Sequence, residues 1–116
     1  MRDHLLSWQL EHYAGNHLDR RNLVLHVLTV PLFLAGTVLL VAGALVAGWL
    51  ALAGLAGMLV AVALQGRGHK HERSAPVPFS GPGDAVTRLF VEQWITFPRF
   101  VMSGGFARAW RSADAG

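Results

Sequence analysis

Charge divides the chain into a long uncharged centre and two charged ends. Positions 22–66, between Arg21 and Arg67, contain no Asp, Glu, Lys or Arg and are mostly apolar. A helix of about 20 apolar residues crosses the hydrocarbon core of a bilayer, so this stretch is long enough for two crossings with a tight turn between them. The pattern predicts a helical hairpin whose two arms start and finish at the same membrane face.

Two spans are predicted within the uncharged stretch, at 23–46 and 49–65. Pro31 is expected to kink the first span, because proline has no backbone N–H and its ring clashes with the preceding turn. Small residues spaced four apart near the turn, such as Gly43 and Ala47, would let the two helix backbones approach closely.

Amphipathic segments are predicted on both sides of the hairpin. Residues 1–18 have apolar side chains near helical spacing and are expected to form a helix that lies on the membrane surface. A glycine- and proline-rich loop at 66–83 leads to a second amphipathic helix at 84–97, which Pro98 is expected to end or bend. The predicted fold is all-α, an integral membrane helical bundle in one domain, 1–116, built on a two-span hairpin.

Composition supports a membrane protein and limits which side chains could act as metal ligands or nucleophiles. Hydrophobic residues make up 53% of the chain and the mean hydropathy is +0.38, which is too apolar for a soluble domain this small, because small domains have little interior. The chain has no cysteine, so disulfides, thiolate ligands and a cysteine nucleophile are excluded. A bound metal would have imidazole, carboxylate or backbone oxygen ligands.

The basic residues set the expected orientation. All ten Lys and Arg residues lie outside the predicted hairpin, and the positive-inside rule then places both termini in the cytoplasm. The Ala-, Gly- and Arg-rich composition is typical of a bacterial chain, so the inner membrane is the expected location. The N-terminal segment, which contains acidic residues, is not typical of a cleaved signal peptide. The basic residues form no dense block, so no nucleic-acid partner is expected.

Five of the six histidines flank the hairpin and are expected to meet at one membrane face. His12, His17 and His26 lie near its start, and His69 and His71 lie just after its end. Neutral imidazole is a good ligand for divalent transition metals, so this convergence predicts a metal site. Two simpler interpretations stay open: a hydrogen bond from His26 to a neighbouring carbonyl, and a solvated basic loop after the second span.

The first histidine segment resembles a known family signature. The spacing Tyr13-x3-His17-x4-Asn22-x3-His26-x4-Pro31 is similar to that of the Mpo1-like (DUF962) membrane proteins. The resemblance extends over most of the chain and includes a second motif after the two apolar spans.

The second motif is Gly68-His69 followed by Glu72-Arg73-Ser74-Ala75-Pro76. The family usually places four steps between the histidine and the glutamate, and this chain has three. Either His69 or His71 could therefore provide the ligand of this arm.

The resemblance implies an iron(II)-dependent dioxygenase that shortens 2-hydroxy fatty acids by one carbon. Zinc could substitute for the iron. The expected metal ligands are His17, His26, His69 and His71. The expected catalytic residues are Glu72 and Asn22, with Glu72 either a ligand or an acceptor that orients a histidine. The expected substrate contacts are Tyr13, Arg21, Arg67 and Arg73, because cations at the mouth of a hairpin suit a carboxylate with an apolar tail. No functional role is expected for Glu92, which could pair with an arginine.

Two other functions compete with this one. A non-enzymatic membrane scaffold or lipid-binding protein would use the histidines only in structural hydrogen bonds, and a zinc- or iron-dependent hydrolase would not need oxygen. The metal content of the purified protein distinguishes the non-enzymatic protein from the dioxygenase. The dependence of turnover on oxygen distinguishes the hydrolase from the dioxygenase. Two spans form a thin wall around a site, so a homodimer, or cover by the amphipathic ends, is expected. The sequence leaves open whether His4 or His12 takes part.

Overall fold

The described parts of the chain are almost entirely helical, as the sequence predicts. The computed structural model describes residues 4–72 and 76–115, and within these ranges it contains no strand. The helices are α1 Leu5–Tyr13, α2 Arg20–Val46, α3 Gly48–His69, α4 Pro82–Val91, α5 Phe97–Met102 and α6 Gly105–Ala115, with a 3-10 turn at Ala14–Asn16 and a π turn at Glu92–Thr96. The predicted all-α class, a central hairpin with flanking helices, is confirmed.

Helices α2 and α3 form the hairpin and pack against each other extensively. Only Ala47, in an extended conformation, separates them. Both helices are long and apolar enough to cross a membrane, and only 28% and 22% of the residues in their most apolar stretches are buried inside the protein. The core helices of a soluble protein would be mostly buried, so these outward-facing apolar side chains favour a lipid environment.

Helix α3 is longer than the apolar pattern predicts. It continues past position 65 to His69, so the first residues of the predicted loop at 66–83 are helical. Apolarity marks the thickness of the hydrocarbon core, whereas backbone hydrogen bonding lets a helix continue into the polar interface. His69 is therefore held on a helix in line with the second span.

Two glycines set the distance between the arms of the hairpin. A Cβ on Gly36 would lie 2.6 Å from the carbonyl oxygen of Gly54, and a Cβ on Gly54 would lie 2.5 Å from the carbonyl oxygen of Gly36. Gly43, which belongs to the predicted small-residue pattern, also faces the opposite helix at close range. Small residues allow this kind of backbone contact between membrane helices.

Neither Pro31 nor Pro98 interrupts its helical segment. Helix α2 continues through Pro31, and the C-terminal segment passes Pro98 after a π turn in which the N–H of Phe97 donates to the carbonyl of Glu92. The predicted end of this helix at 97 is not observed, since the chain runs on into α5. A π turn accommodates one extra residue and occurs often at functional sites.

The flanking helices pack on the end of the hairpin at which α2 begins. Buried side chains from α1, α2, α5 and α6 form one cluster there, made of Tyr13, Leu23, Val30, Phe97, Phe100 and Ala109. Full burial of a large apolar side chain is worth about 1.5–3 kcal/mol, so this cluster holds the flanking helices to the hairpin. As a result, the end of α1, the start of α2, the end of α3 and the π turn lie next to one another.

We expect Gly54→Ala to be less stable than Gly57→Ala by about 1–3 kcal/mol, because its new methyl group must separate two backbones in contact. The Cβ of a residue at 57 would lie 3.5 Å from Leu32 Cδ1, an ordinary contact. Both variants gain the same helix propensity, so their difference isolates the clash. Thermal unfolding in detergent measures it, and equal stabilities would contradict the close approach.

Candidate metal centre

Four side chains from separate segments meet at the covered end of the hairpin. His17 precedes α2, His26 lies on α2, His69 is the last residue of α3, and Glu92 begins the π turn. One potential ligand atom from each lies within 4.8 Å of the others. His17 and His26 are almost completely buried, with 2% and 0% of their surface exposed. We call this group the His–Glu cluster.

Backbone carbonyls fix which nitrogen carries the hydrogen in the imidazole rings of His17 and His26. His17 Nδ1 lies 2.7 Å from the carbonyl oxygen of Tyr13, and His26 Nδ1 lies 2.9 Å from that of Asn22. A carbonyl only accepts a hydrogen bond, so Nδ1 carries the hydrogen in both rings. In the neutral form of each ring, Nε2 then has a free lone pair, which is the form that binds a metal.

These lone pairs point at one another and at a carboxylate. His17 Nε2 and His26 Nε2 are 3.3 Å apart, and they lie 3.5 Å and 3.4 Å from Glu92 Oε2. Three acceptor atoms this close require a shared proton or a cation between them. Ligand atoms held about 2.1 Å from one ion in tetrahedral coordination are about 3.4 Å apart, so the spacing fits a divalent transition metal.

The three imidazole rings of the cluster meet edge to face. The ring planes of His17, His26 and His69 are nearly perpendicular to one another, at 84°, 82° and 82°, and their centroids are 4.6–5.1 Å apart. Edge-to-face contact is also common between aromatic rings that only pack together, as Phe97 and Phe106 do at 86°, so the case for a metal rests on the converging nitrogen atoms. Three imidazoles and one carboxylate suit iron(II) and zinc, among other first-row metals.

The protonation states expected at neutral pH favour a cation. Burial raises the pKa of the Glu92 carboxyl, but when a proton is shared with His17 and His26, their hydrogen bonds and positive charge outweigh burial and hold the pKa far below its usual range. Burial lowers the pKa of His17, and Glu92 only partly offsets this. Burial, and then the charge of Glu92, raises the pKa of Tyr13, which stays a neutral phenol. Ionised carboxylate and neutral imidazole are the states that metals bind.

Glu72 and Asn22 lie directly behind the His–Glu cluster. Glu72 accepts hydrogen bonds from the backbone N–H groups of Leu18 and Asp19, at 2.8 Å and 3.0 Å, and from Asn22 Nδ2 at 2.8 Å. Asn22 Nδ2 is also 3.5 Å from His69 Nδ1. These two residues, which the sequence analysis assigned to catalysis, tie the start of α2 to the end of α3.

Gly68 makes this contact between the arms geometrically feasible. A Cβ at this position would collide with the side-chain oxygen of Asn22. The glycine before His69 is thus needed for close packing of the two arms, which gives a physical reason for the Gly68-His69 pair.

The other residues singled out by the sequence lie apart from the cluster. His71, Arg21 and Arg67 are exposed, and Arg21 Nε pairs with Asp19 Oδ1 at 3.3 Å. Arg73 lies outside the described residues. His4 and His12 are exposed and outside the cluster as well, with His12 Nδ1 donating to the Trp8 carbonyl at 2.8 Å. Of the two histidines left open in the second arm, His69 is the one that the structure brings to His17 and His26.

Glu92 is the residue that sequence reasoning missed. The structure places it against histidines, whereas the sequence analysis expected no functional role for it. Its partners are far away in sequence, and the π turn that aims it has no simple sequence signature. One signal was available: Glu92 is the only acidic residue between Asp84 and Asp114.

A cavity of about 480 Å³ lies beside the cluster, and His17, His69 and Glu92 form part of its wall. This volume is in the range of pockets that bind small molecules. The rest of the wall is mostly apolar, and includes Trp8, Val62, Phe79 and Leu89.

Two cations, Lys70 and Arg88, also border the cavity. Lys70 is exposed. Arg88 is buried and donates to the carbonyls of Val77 and Pro78, at 2.8 Å and 3.1 Å, so it fastens the loop before α4 to the cavity. Arg21 and Arg67 do not border this cavity.

No protein-family model, no curated protein and no solved structure matches this chain. The resemblance to the Mpo1-like family therefore stays a prediction, and the case for a metal centre is made by the geometry.

We expect Glu92→Gln and His26→Gln to weaken binding of iron(II) or zinc by more than roughly tenfold, since loss of even an outer-shell partner has that effect. His71→Gln is the matched control and should bind metal like the unmodified protein. Metal analysis of anaerobically purified protein and competition with a chelator measure the change. Loss of metal in His71→Gln with retention in Glu92→Gln would show that the wrong carboxylate and histidine have been chosen.

Proposed function

We propose that this protein is a membrane-embedded, iron(II)-dependent dioxygenase that removes one carbon from 2-hydroxy fatty acids. The observation that carries the proposal is the convergence of three imidazoles and one carboxylate beside a mostly apolar cavity. The proposed reaction class also draws on the sequence resemblance described above.

The donor set supports an oxygen-using metal. Non-haem iron(II) in oxygenases is held by imidazole and carboxylate ligands, with positions left open for reactants. Three members of the His–Glu cluster border the cavity, so reactants in the cavity would meet the ion. Iron(II), when bound, would supply the redox chemistry with molecular oxygen. The chain's own part is to hold neutral imidazoles and an ionised carboxylate around the ion, away from bulk water.

The cavity suits an acid with a long apolar tail. Trp8, Val62 and Leu89 offer apolar contact, and Lys70 at the exposed side can hold a carboxylate by a charge-assisted hydrogen bond. Lys70 thus takes the role that the sequence analysis gave to Arg21 and Arg67. The overall reaction balances as one 2-hydroxy acid and one O2 giving the acid shortened by one carbon, one CO2 and one water, with the bond between carbons 1 and 2 broken.

The proposed location is the bacterial inner membrane, with both termini in the cytoplasm. The uncharged hairpin turn near Gly48 and the basic residues at the other end of the hairpin support this orientation. The cluster would then lie at the cytoplasmic face. The flanking helices cover it within one chain, so the proposed site needs no second copy to be complete.

We expect the iron-loaded protein to convert 2-hydroxypalmitate to pentadecanoate only when oxygen is present, with equal amounts of O2 consumed and CO2 released. Product formed without oxygen would indicate a hydrolase. Stable folded protein with no metal and no turnover would favour the non-enzymatic membrane role. Mass spectrometry of the acids and an oxygen electrode provide the measurements.

Lys70→Gln should raise the KM for 2-hydroxypalmitate by roughly tenfold, the effect of losing one charged hydrogen bond partly shared with water, and should leave metal content unchanged. Arg67→Gln is the control, because Arg67 is an exposed cation near the same end of α3 but outside the cavity. A larger effect of Arg67→Gln than of Lys70→Gln would contradict the assigned position of the carboxylate.

The topology can be checked with single cysteines, since the chain has none of its own. Gly48→Cys and Gly81→Cys are suitable, because a Cβ at either position meets no atom within 4 Å. In sealed inner-membrane vesicles, a membrane-impermeant maleimide should label the two variants from opposite sides. Labelling of both from one side would rule out the hairpin orientation.

A further inference from the structure

Two buried glutamines outside the His–Glu cluster bond to each other in both directions. Gln65 Nε2 donates to Gln93 Oε1 at 2.9 Å, and Gln93 Nε2 donates to Gln65 Oε1 at 2.7 Å. Only 4% of Gln65 is exposed, and none of Gln93. Each amide is the donor and the acceptor of the other, which leaves little freedom to either side chain.

Further hydrogen bonds tie this pair to the hairpin. Gln65 Nε2 also donates to Thr29 Oγ1 at 3.0 Å, and the Thr29 hydroxyl donates to the carbonyl of Leu25 at 2.6 Å. A continuous series of hydrogen bonds therefore runs from α2 through α3 to Gln93. It reaches the π turn one residue after Glu92.

Stability alone does not account for the pair. Two buried amides contribute no more than two well-packed apolar side chains of similar shape, and a single unpaired amide is costly. The property that amides add is a fixed relative position, because their hydrogen bonds form in one alignment only, whereas apolar side chains can slide. The element fixed in this way is the π turn, whose first residue is Glu92.

We propose that Gln65 and Gln93 are positioning residues that hold the Glu92 carboxylate against His17 and His26. This role rests on the proposed metal-dependent function, because a fixed carboxylate matters only where it binds an ion. The amide pair fixes the π turn to α3, and Glu92 is thereby held within reach of ligands on two other segments.

Cobalt(II) is a suitable probe, because its visible absorption reports the number and type of its ligands. The test variant carries Gln65→Leu together with Gln93→Leu, and Glu92→Gln provides the spectrum of a site without the carboxylate. We expect the double variant to bind cobalt(II) 10–100-fold more weakly, the usual effect of losing an outer-shell support. Its spectrum should shift towards that of Glu92→Gln.

Gln9→Leu is the matched control. Gln9 is a buried glutamine on α1 whose Nε2 donates to the carbonyl of Arg88 at 2.9 Å. Its loss removes a comparable hydrogen bond, while the Arg88 carbonyl still accepts the N–H of Glu92 and the link between the π turn and α3 stays intact. This variant should keep the spectrum and the cobalt(II) affinity of the unmodified protein.

The single variants distinguish the positioning role of the glutamine pair from a role in stability alone. Gln65→Leu or Gln93→Leu leaves one buried amide without its partner and should lower the melting temperature, and the double variant should recover part of that loss. Cobalt(II) affinity should stay low in all three. If affinity instead follows the melting temperature, the pair is merely structural and the positioning role is overturned.

The remaining outcomes are distinct. A double variant with the spectrum and affinity of the unmodified protein overturns the positioning role. An unmodified protein that binds no cobalt(II) overturns this role together with the metal centre. If the expected shifts occur but the iron-loaded protein does not turn over 2-hydroxypalmitate, the positioning role is supported and only the proposed reaction fails.

Discussion

The arrangement at the covered end of the hairpin depends on one unfavourable contact. The Nε2 atoms of His17 and His26 and a carboxylate oxygen of Glu92 lie within 3.5 Å of one another, and three buried acceptors repel unless a positive charge lies between them. The protein holds them there with carbonyls that fix the two rings and with apolar packing that fixes the helices. A shared proton or a bound cation can supply that charge, and the proposed metal centre depends on this contact.

The hairpin and the meeting of its two histidine segments were largely predictable from sequence, because both follow from short-range rules. An uncharged stretch of the right length folds back once, and helical periodicity places Asn22 and His26 on one face. The location of His17 near them, and of His69 at the end of the opposite arm, then follows from the return of the chain. The predicted second span ends at 65, whereas α3 continues to His69, because the helix extends beyond its apolar stretch.

Other parts of the site could not be predicted, because they depend on contacts between segments far apart in sequence. Glu92 reaches the histidines only through a π turn, and local pattern does not show where the third segment packs. Glu72 was recognised as part of a motif, yet its carboxylate caps backbone N–H groups of Leu18 and Asp19. The motif drew attention to Glu72, while only the fold shows which groups its carboxylate contacts.

The link between the two long helices has a consequence for what the protein can do. It consists of Ala47 alone, with small and apolar residues on either side, so the proposed orientation presents almost no polar surface to the periplasm. In that orientation, the reactants of the proposed reaction would reach the cluster laterally from the surrounding leaflet or from the cytosol, and the products would leave the same way.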